Sequence, residues 1–466
     1  MEEARSVAYC SIRCQHEDGG QAPALPDILL HGEGADRGGR MAKKPLYDWK
    51  IGEPLPKLGM HSFAKHQIFD AYITAYIRTL TKSHLTRKLK LTLVDGFCGG
   101  GRYVMDNDEV DGSPLRMLAS VERAQTELDA ARVRGLEIDA EFVFVDANRE
   151  HVDFLREVLR QRGYESRIGK DIHVYTSKFE DVSDEIIRRI QAKGRAHRSL
   201  FFLDQYGWSA VTFATIRQIM GSLQNPEVVL TFMVDHLVNL LTERMINTPG
   251  LAAIDLGRED VRDMLQMKEQ RGWKRLIQNT LYEHIRQNTG ADYYTPFFIH
   301  PEGGSNRDYW LLHLSRHHQA REEMGKIHWD LENTFEHFGR AGFNSLGFMP
   351  GADVRDGMLE FGFNDNARTR SEAAVVDQLA DMLHARAAAG APLLTKKLLF
   401  SANCNETPVI SSIVDASLVT LREARDIRII SPDGVVRRSA THFGWEDRIE
   451  LVESPTLFSL LRQQAA

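Results

Sequence analysis

The sequence has few cysteines and no long apolar run. Four cysteines occur in 466 residues, at positions 10, 14, 98 and 404, and such a scattered set is typical of a protein in a reducing compartment. No apolar stretch reaches the ~20 residues that a membrane-spanning helix needs, and no signal peptide is visible. We therefore expect a cytoplasmic protein without membrane association. Cys10 and Cys14 lack a second ligand pair at metal-binding spacing, so no metal site is expected.

The charged residues nearly balance but are unevenly distributed. The chain has 58 basic and 65 acidic residues, a net charge of −7, which argues against a protein whose whole surface coats nucleic acid. Residues 41–90, however, hold ten bases against three acids. This positive block could steer a polyanion to one face, or it could be an ordinary solvated helix surface. Its candidate nucleic-acid contacts are Lys65, Lys82 and Arg87.

The motif LTLVDGFCGGGRY at residues 91–103 is the most informative stretch. Leu91–Val94 is predicted to be a short buried strand that ends at Asp95, and Gly96 and Gly99–Gly101 follow at once. Glycines here let the backbone turn tightly and come close to a ligand, with amides facing it. One glycine-rich turn is weak evidence, so its meaning depends on whether other strands also end at acids.

Apolar strands alternate with helical stretches beyond this turn, and a helix with Ser62 as its expected N-cap precedes it. The further predicted strands are Ala140–Val145, Ile172–Thr176, Ser199–Leu203 and Glu227–Val234. Such alternation is typical of a parallel, doubly wound sheet. A hairpin of Tyr293–His300 and Tyr309–Ser315 would add one antiparallel strand at or near the edge. The predicted fold class is therefore α/β.

These patterns predict four regions of the chain. Residues 1–40 form a disordered or irregular extension, because they are glycine-rich, polar and without periodicity. Residues 41–340 form the α/β domain, with a helical insertion at about 235–292. Residues 341–390 form a helical linker, and residues 391–466 form a smaller C-terminal domain.

The C-terminal domain has the element order of a winged helix. Helices at Lys396–Ala402 and Pro408–Arg425 precede a hairpin of Ile427–Ile430 and Val435–Arg438. Arg437 and Arg438 on this wing could contact phosphates. Winged helices also serve as dimerisation or protein-docking modules, and the second helix carries bases only at its end, which favours that reading.

Acids follow the predicted strands at one edge of the sheet, where open α/β folds bind ligands. Asp95 and the glycines would hold the amino-acid-like end of a cofactor, and Asp146 could accept hydrogen bonds from two ribose hydroxyls. Phe179 and Asp181 could flank an adenine. Asp146 lies ~50 residues after the turn, not the ~20 of a dinucleotide fingerprint, which argues against NAD. Each acid taken alone could equally be a helix N-cap.

Several motifs resemble a known family. DGFCGGGRY, FVDAN and FLDQYGW resemble motifs of class I S-adenosylmethionine-dependent methyltransferases. Together with HSFAKHQIFDAYITAYI, DGSPL and RDYWLLHLSRH, they resemble more narrowly the bacterial three-Cys-motif partner family, over about residues 47–329. The resemblance implies a Rossmann-like methyltransferase fold, S-adenosylmethionine as cofactor and a functional partner protein. The cofactor-binding residues implied are Asp95, Gly96, Phe97, Gly99, Gly100, Gly101, Asp146, Phe179 and Asp181.

The segment DQYG at residues 204–207 falls where amino-directed nucleic-acid methyltransferases carry Asp-Pro-Pro-Tyr. By that resemblance Asp204 would bind the target amine and Tyr206 would stack on the base, so both are candidate catalytic residues. Gln205 and Gly207 depart from the motif. Without the two prolines, the stiff bend that aims the acid is lost.

Three hypotheses about function follow. The first is a methyltransferase that acts on a DNA or RNA base, at an amino nitrogen. The second is a non-catalytic, methyltransferase-like subunit that binds nucleic acid or protein in a bacterial complex, such as one for anti-phage defence. The third is a nuclease with magnesium on Glu180, Asp181 and Asp204, but the usual spacing of acids and lysine is absent.

Overall fold

The computed structural model describes residues 47–131, 135–270, 273–299, 309–331, 336–338, 360–362, 365–390, 394–407 and 409–452. The predicted extension at 1–40, with Cys10 and Cys14, lies outside these ranges. The turn at 301–308, the stretch at 339–359 and the last residues, 453–466, also lie outside them.

The described elements follow the predicted alternation. The helices are α1 Met60–Leu80, α2 Ser113–Ala131, α3 Arg149–Gln161, α4 Phe179–Ala192, α5 Phe213–Ser222, α6 Val234–Leu240, α7 Pro249–Ala253, α8 Arg258–Met267, α9 Trp273–Asn288, α10 His318–Asp330, α11 Asp365–Ala388, α12 Lys396–Asn403 and α13 Ser411–Glu423. The strands are β1 Lys88–Asp95, β2 Arg102–Met105, β3 Asp108–Asp111, β4 Glu137–Asp146, β5 Ile172–Thr176, β6 Arg198–Leu203, β7 Glu227–Phe232, β8 Tyr293–Ile299, β9 Tyr309–Ser315, β10 Glu336–Phe338, β11 Glu360–Gly362, β12 Leu394–Thr395, β13 Ile427–Ile430 and β14 Arg448–Leu451.

The main sheet confirms the predicted α/β fold class. Its strand order is β11-β10-β8-β9-β7-β6-β1-β4-β5. Strands β5, β4, β1, β6 and β7 are parallel, and β9 runs antiparallel to both β7 and β8. The five parallel strands thus have the order 3-2-1-4-5 of a Rossmann-type sheet, whose direction of winding reverses between β1 and β6. The expected antiparallel strand is β9, which lies between β7 and β8.

The strands are apolar on both faces because helices cover both faces. Along β1, Leu93 belongs to the hydrophobic cluster that includes α1 and α2, whereas Val94 belongs to the cluster that includes α4 and α5. Phe144 and Val143 divide in the same way along β4. This alternation between two buried faces is why these strands lack the polar positions of a half-exposed sheet.

Two local features near the first strand differ from the predictions. The N-cap of α1 is Gly59, not Ser62, which is buried inside the helix with its hydroxyl 3.2 Å from that of Tyr47. The hairpin of β2 and β3 was not predicted. Its two-residue turn, Asp106 and Asn107, has positive φ angles of 51° and 73°, and an Asp-Asn pair is a recognised signal for such a turn.

The predicted insertion at 235–292 is helical, as expected. It consists of α6 to α9, and α6 begins one residue earlier, at Val234. Apolar residues of α8 and α9, such as Val261 and Ile277, join the same buried cluster as β6 and β7. The insertion therefore widens the core on one face of the sheet.

The C-terminal elements differ from the prediction in one strand. β13 pairs along its length with β14, Arg448–Leu451. The expected partner, Val435–Arg438, makes a shorter contact, in which Val436 bridges Ile430 and the Arg437 amide donates to the Ile429 carbonyl at 2.8 Å. Val435 and Val436 are 59% and 41% exposed. Their β-branched side chains favour a strand in the sequence, but here they bury no face. β12, β14 and β13 form a three-stranded sheet beside α12 and α13. The winged-helix assignment remains a prediction.

A buried arginine joins α10 to the C-terminal helices. Arg321, with 0% exposure, donates hydrogen bonds to the carbonyls of Cys404 (2.9 Å), Val409 (3.1 Å) and Thr407. The adjacent Glu322 accepts hydrogen bonds from the backbone and hydroxyl of Ser411 at the start of α13. These contacts satisfy carbonyls between α12 and α13 that no helix ladder satisfies.

Candidate functional site

Three carboxylates lie at neighbouring strand ends on the carboxyl edge of the sheet. Asp95 ends β1 and lies opposite Phe144 of β4 and Phe202 of β6. Asp146 and Asp204 follow those two partners by two positions each, so the three acids lie side by side. The negative charges of Asp204 and Asp146 both act to raise the pKa of Asp95. These acids are therefore neighbours at the point where the winding of the sheet reverses, and their convergence on one ligand remains a prediction.

Asp95 is a buried acid at the end of β1. The residue is 1% exposed, and its Oδ1 accepts a hydrogen bond from the Phe97 amide at 3.1 Å. Within the described residues, Oδ2 has no hydrogen-bond partner. Burial raises the pKa of Asp95 to about 7, with the nearby acids adding to it and hydrogen bonds from the Ser113 side chain and the Phe97 amide opposing it. At neutral pH the carboxyl group is therefore about half protonated and can either donate or accept a hydrogen bond.

The glycine-rich turn is held by bonds within the protein. The Gly96 amide donates to the carbonyl of Phe202 at 2.9 Å, and the Cys98 amide donates to that of Val145 at 3.0 Å. The Gly99 amide donates to Asp146 Oδ2 at 3.1 Å. These bonds tie the turn to β4 and β6, so these amides do not face a ligand as the motif predicts.

The missing β-carbons make room for protein side chains. A β-carbon on Gly99 would lie 2.7 Å from the indole ring of Trp49, and one on Gly100 would lie closer still. A β-carbon on Gly101 would lie 2.8 Å from Leu155, and one on Gly96 would lie 2.6 Å from Leu203. The prediction that these glycines let a ligand approach is therefore not what this structure shows.

Trp49 is the main neighbour of this turn that the sequence analysis missed. It is 4% exposed, and its Nε1 donates a hydrogen bond to the carbonyl of Arg102 at 2.5 Å. Its ring makes edge contacts with Tyr103 and His151, at centroid distances of 5.1 and 4.8 Å. The segment that begins at Tyr47 is thus a strap across the glycine turn. A single tryptophan before α1 carries no sequence signal for this position.

Asp146 is half-engaged by the backbone around it. Besides the Gly99 amide on Oδ2, the Asn148 amide donates to its Oδ1 at 2.7 Å, and His151 Nδ1 lies 3.3 Å from the same oxygen. Asn148 then caps α3 by accepting a hydrogen bond from the Glu150 amide. Each carboxylate oxygen can accept more than one hydrogen bond. The ribose role of Asp146 remains a prediction.

The predicted adenine side is only partly at the surface. Phe179 is 2% exposed, and its ring packs under Gly96 and against Phe201. It has no open face for an adenine, so that prediction is wrong. Asp181 is exposed in the first turn of α4, and Phe97 is half-buried beside the turn. Their roles stay predictions.

Asp204 is ion-paired with Lys65. Lys65 Nζ donates to the two carboxylate oxygens at 2.5 and 2.7 Å, and Thr231 Oγ1 donates to Oδ1 at 2.6 Å. Burial acts to raise the pKa of Asp204, but the charge and hydrogen bonds of Lys65, with Thr231, hold that pKa below its usual range. Lys65 is 8% exposed on α1. The prediction that Lys65 contacts nucleic acid at the surface is therefore wrong.

Gln205 and Gly207 shape the loop that presents Tyr206. The Gln205 side chain is 1% exposed, and its Oε1 accepts a hydrogen bond from the Val211 amide at 3.0 Å. Gly207 has a φ of +109°, and its carbonyl accepts a hydrogen bond from the Met233 amide at 3.0 Å. Tyr206 between them is 56% exposed. Hydrogen bonds thus hold the bend that prolines would impose, and they turn Tyr206 outward next to Asp204.

The other predicted nucleic-acid contacts do not line this site. Lys82 and Arg87 are exposed just before β1, and a strand of eight residues separates them from the carboxyl edge by about 25 Å. Of the three candidate contacts in the positive block, only Lys65 therefore lies at the edge with Asp204. Arg437 is paired with the buried Asp447 at 3.2 Å, whereas Arg438 is exposed on the C-terminal loop.

A further acid at the same edge escaped the sequence analysis. Asp235, 1% exposed in the first turn of α6 after β7, accepts a hydrogen bond from Lys274 at 2.7 Å. Asp235 lies at the predicted border of the helical insertion, beyond the strand ends to which the motifs assign site residues. In the described ranges, no three acids, cysteines or histidines are grouped as a metal site would require, and no helix there is long and apolar enough to cross a membrane.

Comparisons with known proteins find only distant structural similarity. No protein-family model matches the chain, and a search of curated proteins finds no similar sequence. Among solved structures, a Legionella pneumophila protein of the DUF519 family is 9% identical, with a TM-score of 0.34 over 59% of this chain and 93% of that one. A SAM-dependent methyltransferase from Agrobacterium tumefaciens is 9% identical, with a TM-score of 0.29 over 56% and 64%.

A third structure, a putative rRNA methylase from Clostridium thermocellum, is 8% identical, with a TM-score of 0.27 over 55% of this chain and 97% of that one. At such low similarity these matches identify neither a cofactor nor a substrate for this chain. The assignment of a Rossmann-like α/β fold rests on the strand order and the parallel direction of the five central strands.

Proposed function

We propose that this protein binds S-adenosylmethionine at the carboxyl edge of its sheet and transfers the methyl group to an amino nitrogen of a nucleic-acid base. The observation that carries the proposal is the row of Asp146, Asp95 and Asp204 on adjacent strands, with Tyr206 exposed beside Asp204. The motif resemblance supports it, because these residues occupy the positions that the methyltransferase motifs predict.

The residues at the edge fit the charge of this cofactor. The buried carboxyl of Asp95, with the Ser113 side chain and the Phe97 amide beside it, could accept one further hydrogen bond from an ammonium at its Oδ2. Asp146 at the tip of β4 can accept ribose hydroxyls beside its two amide bonds. When bound, the cofactor would supply an electrophilic methyl group on a positively charged sulfur. Because Trp49 covers Gly99 and Gly100, the cofactor would contact the Asp95 and Asp146 side of the turn or displace the strap.

Asp204 and Tyr206 would serve the acceptor. A carboxylate whose pKa is held low stays ionised at neutral pH and accepts the N–H bonds of an amine. An exposed tyrosine ring offers a stacking surface to any base. A base that is paired in a duplex would have to be single-stranded or flipped out to reach it. Alignment of the amine with the methyl group would supply most of the rate.

The second candidate function is a methyltransferase-like subunit that binds but does not catalyse, within a bacterial complex with a partner protein. The observation that favours it is the ion pair of Lys65 with Asp204, since a carboxylate already bound to an ammonium is not free for a substrate amine. The exposed Arg438 and the apolar Val435 and Val436 on the C-terminal loop offer this candidate a separate contact surface.

Calorimetry and a transfer assay separate the two candidates. We expect the full chain to bind S-adenosylmethionine, Asp95→Ala to abolish that binding, and Asp204→Ala to keep it while losing transfer of labelled methyl groups to single-stranded DNA or RNA. Arg428→Ala, at an exposed position on β13 of the smaller sheet, is the matched control. Binding without transfer by the native chain would favour the non-catalytic candidate. Unchanged affinity in Asp95→Ala would remove the basis for both.

A further inference from the structure

The ammonium of Lys65 occupies the carboxylate that the proposed reaction assigns to the acceptor amine. Its Nζ lies 2.5 and 2.7 Å from the two oxygens of Asp204. An ammonium has three N–H donors and an exocyclic amine has two, so either can use these oxygens. The second donor to Asp204, the Thr231 hydroxyl, leaves the outer side of the carboxylate to one further amine-like group.

We propose that Asp204 is an amine-binding subsite which Lys65 fills in the resting protein, so that an acceptor amine binds only by displacing the Lys65 side chain. This inference rests on the proposed function, which it deepens by assigning the subsite a primary amine and a resident competitor.

The surroundings of the pair allow such an exchange. The Asp204 side chain is 28% exposed and that of Lys65 is 10% exposed, so water and ligands reach the carboxylate from one side. Lys65 lies in the second turn of α1 on a flexible four-carbon stem, which can carry its ammonium to solvent. The next exposed ring along the chain is Tyr206, so an incoming base with an amine would meet both groups together.

The charges at the edge explain why a competitor is useful. Without Lys65, the ionised Asp204 would lie beside Asp95, whose pKa is raised mainly by burial and further by the charges of Asp204 and Asp146. Like charges at this distance repel one another. Lys65 compensates one of them in the empty site, and a cationic cofactor would take over that role when bound. Occupancy by the cofactor would therefore loosen Lys65 and prepare Asp204 for the acceptor.

Amine rescue tests the subsite without any transfer activity. Lys65→Ala removes three carbons and the nitrogen, which n-propylammonium replaces. We expect n-propylammonium chloride to raise the melting temperature of the full-length Lys65→Ala variant in a saturable way, by about 2 °C at tenfold its dissociation constant. The wild type, in which Lys65 competes for the same oxygens, should respond much less, and the Lys65→Ala, Asp204→Asn double variant should not respond. An equal response in all three proteins would overturn the subsite.

Transfer kinetics test the displacement. Lys65→Met keeps the length of the side chain without its charge, so we expect the KM for single-stranded DNA or RNA to fall at least fivefold while kcat is unchanged. Lys65→Arg, which can pair with both carboxylate oxygens, is the control and should keep or raise the KM. A fall in kcat for Lys65→Met would show that Lys65 takes part in transfer and would overturn the proposal. Amine rescue without transfer by any variant would leave the subsite standing and reject the proposed reaction.

Discussion

The indole ring of Trp49 fills the space beside Gly99, where a β-carbon would lie 2.7 Å from the ring atom Cη2. Fifty residues of chain separate the two, yet the glycine turn and the strap are shaped to each other. The same ring covers Gly100. Gly99 and Gly100, two of the turn residues that the motif assigns to a ligand, are therefore packed against a side chain of the protein itself.

The strap and the turn should be energetically coupled. Gly100 does not have a positive φ, so Gly100→Ala tests crowding alone, and we expect it to lower the free energy of unfolding by about 1–3 kcal/mol. In a Trp49→Gly background all three of the side-chain atoms that the added methyl group would meet are absent, so its cost should nearly vanish. Urea unfolding of the two single variants and the double variant measures this coupling. An identical cost of the methyl group in both backgrounds would contradict the contact.

Asp95 should make the protein less stable as the pH rises. Burial raises its pKa from 3.8 to about 7, so the folded state holds a proton that the unfolded chain has lost. Its stabilising contribution is full below the unfolded pKa and is lost as the pH rises to about 7, by about 4 kcal/mol at most. Asp95→Asn does not titrate, so its free energy of unfolding should rise relative to that of the wild type between pH 4 and pH 7. Denaturant unfolding at several pH values measures this difference in free energy, and parallel pH profiles for the two proteins would contradict the prediction.

Tyr206 should matter for nucleic acid and not for folding. Its side chain is 56% exposed, so Tyr206→Ala should change the free energy of unfolding by less than about 0.5 kcal/mol. Loss of one stacked base should weaken binding of a single-stranded oligonucleotide by about 1–3 kcal/mol, or roughly tenfold or more. Fluorescence anisotropy measures the binding, with Tyr206→Phe as the control that keeps the ring. Equal affinity of the alanine variant and the wild type would exclude a stacking role.

The bases before β1 should be dispensable for the site. Lys82 and Arg87 lie at the amino edge of the sheet, about 25 Å from the strand ends that carry the acids. We expect the Lys82→Glu, Arg87→Glu variant to bind single-stranded DNA as the wild type does, with the same salt dependence. Arg438→Glu on the exposed C-terminal loop should bind less well and show a smaller salt slope. The reverse pattern would move the nucleic-acid path to the amino edge.

Arg321 should be essential for the packing of the C-terminal helices. Arg321→Met would leave the carbonyls of Cys404, Thr407 and Val409 without their donor in a buried place. Unsatisfied buried carbonyls cost about 1–3 kcal/mol each, so we expect a loss of several kcal/mol. Limited proteolysis should then cut between α12 and α13 sooner than in the wild type. Proteolysis at an unchanged rate would show that these bonds are not what holds the segment.

The sheet was predictable because its signals are local and repeated. Ile172–Thr176 was predicted at its observed limits, and the strands that end at Asp95 and Asp146 begin only three residues before the predicted ones. An apolar run bounded by acids and turns predicts both the strand and the burial of its two faces. The hairpin strand expected at Val435–Arg438 forms only a short bridge to β13, because apolar side chains there face solvent. The longer pairing of β13 is with β14, which lies beyond a loop.

The site was predictable only as far as strand ends fix positions. The row of Asp95, Asp146 and Asp204 follows from the parallel sheet alone. The partners of these acids come from segments that the sheet does not order in sequence, as Lys65 on α1 shows. A basic residue on an amphipathic helix predicts a surface charge just as well as a buried ion pair. Long-range pairing of this kind has no signature in one sequence.

The guanidinium of Arg321 also limits how the molecule can deform. It is enclosed by the segment between α12 and α13 and by α10, which follows β9 of the main sheet. Swinging the C-terminal helices away would break these three hydrogen bonds together. A long polymer that touched both the strand ends and the C-terminal loop would therefore have to bend across this joint, because moving the two parts of the protein would cost the bonds of Arg321.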